Sequence, residues 1–301
     1  MIPQYPENVP LSIKLKNELS ALLADYNEGL SEFSFAGFFM FRESHHYAIS
    51  RLSDQVLVLS GNDEGNPFCI FPAGIPEKDM IDMLLEQYGN IKCVSETRRA
   101  AFLAMGYNVE EDRDNFDYLY FRNELAELPG KKFRKKRNFV TGFMKDYQVT
   151  NKPISSATIA DAQEILQNWH ATQEDPADYA ATSEALAWFG QLDIEGRVFY
   201  IDTKPAAFVI GEPLPQKISY VIHFEKADTT YRGIYQYINK AYAEMIPEEY
   251  IYLNREQDLG NEGLRQAKLT YRPCAFLKKY RVFPAGGQAP GLRRFKRLTL
   301  T

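Results

Sequence analysis

Asn254, Arg255, Glu256 and Asp258 follow directly on a run of aromatic and branched residues at 250–253, and Arg265 and Lys268 come shortly after. These residue types suit group transfer. A carboxylate can take a proton from an attacking amine or hydroxyl. A guanidinium or ammonium can stabilise an oxyanion or grip a phosphate. Arg265 and Lys268 are three apart, and so neighbours on one helical face. Lys268, Arg265, Glu256 and Asp258 are therefore the candidate catalytic residues. Asn254, Arg255 and Tyr271 are candidates for substrate binding, together with His223, Glu225 and Lys226 from an earlier segment. A purely structural alternative stands beside this reading: an internal ion-pair network joining Glu256 or Asp258 to Arg265 and Lys268.

The elements that must position these groups can be read from the pattern. Residues 250–253 form a strand, because such side chains suit a pleated, half-buried surface. Gly260 and Gly263 mark a turn. Leu264, Ala267, Lys268 and Tyr271 recur at helical spacing, and Pro273 ends the helix by restricting Arg272. Polar crowding past the carboxyl end of a strand is where open α/β sheets bind ligands. Residues 219–224 form a neighbouring strand, so His223 and Glu225, alternating on one face, are expected to open into the same cleft.

Along the rest of the chain, a helix is predicted over 11–26. Strands follow over 33–41, 47–52, 56–60 and 68–71. A helix over 76–88, a short strand at 92–94, a helix over 96–105 capped by Ser95 and a strand over 117–121 complete the first half. The helix over 131–147 connects it to the second. There, helices at 159–172 and 182–192 precede strands at 198–202 and 206–210 and the strand at 219–224. A helix at 234–245 leads into 250–253, and a last strand spans 276–282. Each half thus closes with helix, short strand, helix, strand, which is a structural repeat. The expected units are residues 1–147, residues 148–284, and a flexible basic tail, 285–301, carrying Arg293, Arg294, Lys296 and Arg297.

Residues 131–137 hold six positive charges in seven positions. Lys135, Lys136 and Arg137 are candidates for contact with an RNA backbone; a solvated helix face is the alternative. The net charge of −5 argues against a DNA-coating protein. The longest apolar run, 35–41, is far below the ~20 residues that span a bilayer, and residues 1–6 show no leader pattern. Cys69, Cys93 and Cys274 have no metal-ligand spacing, so no metal site is expected. They fit small buried residues in a reducing, cytoplasmic setting.

The segments Asn254-Arg255-Glu256-Gln257-Asp258-Leu259-Gly260 and Gly263-Leu264-Arg265-x-x-Lys268-x-x-Tyr271-x-Pro273 resemble the signature of bacterial proteins akin to the C-terminal domain of phosphatidylglycerol lysyltransferase. The resemblance runs from about Lys14 to Pro284. It implies an α/β fold with mixed sheets, built from two tandem GNAT-like acyltransferase units and related to the Fem-type transferases. It also implies aminoacyl-tRNA as donor, and a small-molecule or lipid head-group as acceptor. A typical acetyl-CoA-dependent unit of this fold carries Gln/Arg-x-x-Gly-x-Gly/Ala, whose backbone N–H groups hold a pyrophosphate. Here the equivalent joint, 226–235, has one glycine. That of the first half, Ala73-Gly74-Ile75-Pro76, includes a proline with no N–H. The expectation is therefore transfer of an aminoacyl group with no bound cofactor and without acetyl-CoA. An acyl-CoA-dependent N-acyltransferase and a non-catalytic module that holds an anionic ligand are the alternatives.

Overall fold

A computed structural model describes residues 1–26, 28–172, 178–215 and 218–286; the basic residues of the tail, Arg293 to Arg297, lie outside them. In chain order the strands are β1 (Val9–Pro10), β2 (Ala48–Ser53), β3 (Val56–Asp63), β4 (Asn66–Ile70), β5 (Ile91–Ser95), β6 (Asn108–Glu111), β7 (Asp117–Phe121), β8 (Val149–Pro153), β9 (Glu195–Ile201), β10 (Lys204–Pro213), β11 (Ser219–Ala227), β12 (Tyr252–Asn254), β13 (Ala275–Leu277) and β14 (Lys279–Phe283). The helices are α1 (Lys16–Tyr26), α2 (Phe35–Met40), α3 (Arg42–His45), α4 (Lys78–Tyr88), α5 (Glu96–Ala104), α6 (Arg122–Glu127), α7 (Arg134–Asp146), α8 (Ile159–His170), α9 (Tyr179–Ala187), α10 (Ile234–Met245) and α11 (Glu262–Leu269).

These elements build two mixed sheets, ordered β1-β2-β3-β4-β5-β14-β6 and β13-β7-β12-β11-β10-β9-β8. Each sheet takes one strand from the other half of the chain. β7 enters the second sheet between β12 and β13, and β14 enters the first between β5 and β6. The largest core lies between the halves: Phe33, Phe38, Phe39, Ile49 and Leu59 share it with Ile165, Val198, Phe208, Ile210 and Phe224. A second core joins the other face of the second sheet to α10, with Tyr120, Phe143, Ile238 and Leu253. A third covers the outside of the first sheet with α4 and α5.

Two expectations are corrected. Residues 33–41 are not a strand. Ser34 accepts a hydrogen bond from the Gly37 N–H at 2.8 Å and starts α2, every residue of which is buried. An apolar run with no polar face carries neither period, and the cap residue decides. The final strand, 276–282, is two strands in different sheets, β13 and β14, parted at Lys278.

Candidate active site

β11 and β12 are parallel but pair only from Ser219–Tyr252 to Val221–Asn254. Residues 222–227 of β11 then run on while the chain leaves β12 through the loop 255–261, opening a wedge. Side chains bridge it: His223 meets Glu256 and Arg255 meets Glu225. The loop is held in an unusual shape. In it Glu256 and Leu259 have φ of 53° and 50°, the left-handed region that side chains disfavour. Such strain persists where the surroundings impose it, often at ligand sites. Here the buried Asn254 imposes it from one side, its Oδ1 accepting the Glu256 N–H at 2.9 Å. Lys268 acts from the other, its ammonium donating to the carbonyls of Arg255 and Gln257, the latter at 2.6 Å.

Lys268 is therefore directed at the backbone of the loop and forms no ion pair with Glu256 or Asp258. Burial, aided by the nearby Arg255 charge, pulls its pKa down to about 8. Asp258 is fully buried and saturated. It accepts from Arg265 Nε at 2.9 Å, Arg265 Nη2 at 2.7 Å, Tyr118 Oη at 2.5 Å, Arg113 Nη1 at 3.1 Å and the Gly260 N–H at 2.9 Å. Burial alone would raise its pKa, but the bonds from Arg265 and Tyr118 outweigh it and hold the carboxyl at about 2. Arg265 also reaches Asp114 at 2.7 Å. Asp258 and Arg265 together fasten α11 to the segment before β7.

His223 sits between two carboxylates, with Nδ1 2.7 Å from Glu256 and Nε2 3.0 Å from Glu212. Burial opposes its charge, but Glu256 and Glu212 outweigh burial and raise its pKa to about 10, so the ring is an imidazolium at neutral pH. Glu225 belongs to a different network, pairing with Arg255 and facing Asn239 of α10. The two residues expected to share a cleft face thus enter separate networks. Lys226 turns to Asp178 and lies 3.9 Å over the Trp169 ring. Tyr271 is buried beneath two cations: Arg255 is 5.2 Å and Lys136 of α7 3.8 Å from its ring centre.

The model of the family "Phosphatidylglycerol lysyltransferase, C-terminal" matches residues 23–283. The chain belongs to that family. A conserved protein of unknown function from Bacteroides thetaiotaomicron is 29% identical, with a TM-score of 0.83 over 94% of this chain and 100% of the other. L-PGS from Bacillus licheniformis superposes with a TM-score of 0.65 over 96% of each chain at 14% identity. At the level of fold, FemX gives 0.57 at 10% identity over 92% of this chain and 97% of its own. A tandem GNAT protein from the clavulanic acid pathway gives 0.51 at 11% identity over 94% and 99%. The mixed α/β, tandem acyltransferase architecture of the lysyltransferase family is therefore the architecture of this chain.

In this member of the family the site rests on a polar hub that periodicity did not reveal. Asp117, at the start of β7, is fully buried. It accepts from Ser31, Gln257, Asn254 and the ammonium of Lys279, the last at 2.7 Å. Lys279, also fully buried, reaches Glu32 at 2.6 Å, and the two carboxylates raise its pKa against the effect of burial. The signal available was a charged residue inside each of two predicted strands, since buried charges are retained only when paired. Glu212 was missed likewise. It lies beside the β-bulge opposite Ile210/Gly211, where His223 of β11 is the extra, unpaired residue; a bulge re-aims the side chain it carries.

The basic run divides. Arg137 donates to the carbonyls of Leu128 and, at 2.7 Å, of Gly130, so it closes the turn after α6. Lys131, Arg134 and Lys135 are exposed and have no carboxylate partner among the described residues. Lys136 leaves the surface for Tyr271, and burial, then Arg255 and Lys135, lower its pKa to about 8.

Proposed function

We propose that the protein transfers an aminoacyl group from aminoacyl-tRNA to an amine or hydroxyl acceptor at the wedge between β11 and β12. The observation that carries this reading is the loop before α10, where an acyl-CoA enzyme would hold pyrophosphate on backbone N–H groups. Here Asp228 supplies the acceptor itself, taking the Thr230 N–H at 2.9 Å and its hydroxyl at 2.6 Å. The N–H groups of Tyr231 and Ile234 are spent on the carbonyls of Asp228 and Tyr231. A carboxylate already in the loop repels a second anion. From the other side α7 closes in: a Cβ on Gly233 would lie 3.0 Å from the Phe139 carbonyl. The same helix carries Arg134 and Lys135 outward, with Lys131 in the turn before it, and Lys136 inward to Tyr271, so an RNA lying along α7 would end at the site.

The donor ester is already activated, so the site must orient, deprotonate and stabilise charge. In this reading the acceptor nitrogen or oxygen attacks the ester carbonyl while Glu256, whose side chain is 18% exposed, receives its proton. Lys268 and Arg255 place positive charge beside the oxyanion. The ester C–O bond then breaks, and the ribose oxygen leaves with the proton returned from Glu256. A small molecule or a lipid head-group fits as acceptor. No helix among the described residues is long and apolar enough to cross a membrane. Titration calorimetry with acetyl-CoA and with aminoacyl-tRNA tests the donor. The expected result is salt-dependent binding of the tRNA and no micromolar affinity for acetyl-CoA. The reverse pattern would establish an acyl-CoA-dependent N-acyltransferase.

A further inference from the structure

On the side of the second sheet away from α10, a cavity of about 160 Å³ lies between α1, α2 and the end of β10. One water needs roughly 10–15 Å³ on such a measure, and a cavity of ~150 Å³ accepts a benzene-sized molecule. Leu23, Phe35 and Pro213 supply apolar walls. The deepest polar groups are Ser34 and Glu212, 4% and 6% exposed. At the outer end Lys16 pairs with Asp193 at 2.6 Å and donates to the Gln191 carbonyl at 2.7 Å, so its charge is spent.

Glu212 is the feature that points to a ligand. Its Oε1 takes both contacts, from His223 Nε2 and from the Ser34 hydroxyl. Its Oε2 receives no hydrogen bond from any described residue. Behind it, Glu212 shares its one cationic partner, His223, with Glu256. A buried charge is costly unless it is paired and hydrogen-bonded. Water or a metal aquo ion would leave the walls unsatisfied; an apolar molecule would leave the carboxylate so. A short aliphatic chain ending in a cation satisfies both.

We propose that this cavity binds the ammonium end of a small aliphatic amine, with Glu212 as counter-ion and the Leu23–Phe35–Pro213 walls around its chain. The inference stands on the cavity and holds whether or not the protein transfers an aminoacyl group. The test is an NMR titration of the full chain at neutral pH with 1-butylamine, protonated under these conditions, and 1-butanol as its neutral counterpart. The amine should bind saturably and at least tenfold tighter than the alcohol, and Glu212→Gln should weaken it at least tenfold. Ser20→Phe fills the cavity from α1 and leaves the Glu212 and His223 side chains themselves unaltered. It should abolish saturable binding with the melting temperature kept, which decides the matter even if Glu212→Gln fails to fold. Equal affinity for amine and alcohol, no binding of either, or undiminished amine binding in Ser20→Phe would overturn the proposal.

Discussion

Glu212 and Glu256 hold one charged ring between them, and that arrangement has a pH signature. Because the folded pKa of His223 is raised from 6.5 to about 10, its contribution to stability is fully present below about pH 6.5 and is lost as pH rises through about 10. The stability difference between wild type and His223→Gln should shrink across that window in urea melts; a flat difference would mean a neutral ring. Asp258→Asn should cost about 1–3 kcal/mol, the range for a buried hydrogen-bonding group left imperfectly paired, because Asp258 is fully buried while Arg265 and Arg113 are partly exposed to water. Lys268→Met leaves two loop carbonyls without a donor, at about 1–3 kcal/mol for each buried group left unpaired, and should lower melting temperature and turnover together. The segment 254–268 was legible as a polar cluster from composition and position. The direction of Lys268 was not, since a side chain bonded to loop carbonyls leaves no trace in residue spacing. Asp117, Lys279 and Glu212 were hidden because the partners that hold them, such as Lys279 for Asp117 and Ser34 for Glu212, are far away in sequence.

At the scale of elements, α7 separates two roles that the charge run alone could not. Lys131, Arg134 and Lys135 point outward, and replacing all three with Gln should weaken tRNA binding and reduce the slope of log affinity against log salt by about 2–3, at ~0.7–0.9 per phosphate contact. Arg137→Gln should instead lower stability with the slope unchanged, because Arg137 is spent on Leu128 and Gly130. Helices with one apolar stripe were legible: α4, α5 and α10 lie where the 3.6-residue period places them. α2 was not, because Phe35, Phe38 and Phe39 are buried on all sides. In that setting Ser34 was the better signal than the apolar run.

For the whole molecule, the repeated order of strands and helices was visible, but the exchange of β7 and β14 was not, because periodicity marks a strand without naming its neighbour. The exchange and the shared core make the halves interdependent. A fragment of residues 1–147 lacks the strand between β5 and β6, and residues 148–301 lack the one between β12 and β13. Scanning calorimetry should therefore show one cooperative transition for the full chain, and neither fragment should give a melting transition alone. Two independent transitions would mean the sheets are held mainly by their own halves. The central claim, that the wedge between β11 and β12 moves an aminoacyl group, is met most directly by incubating the protein with tRNA charged with radiolabelled amino acids, in the presence of a cell extract, and following the label. The account predicts label leaving the tRNA for a new, alkali-resistant or lipid-soluble product with wild type and at least a hundredfold more slowly with Glu256→Gln; label that stays on tRNA or appears only as free amino acid, while radiolabelled acetyl-CoA yields a product, would contradict it.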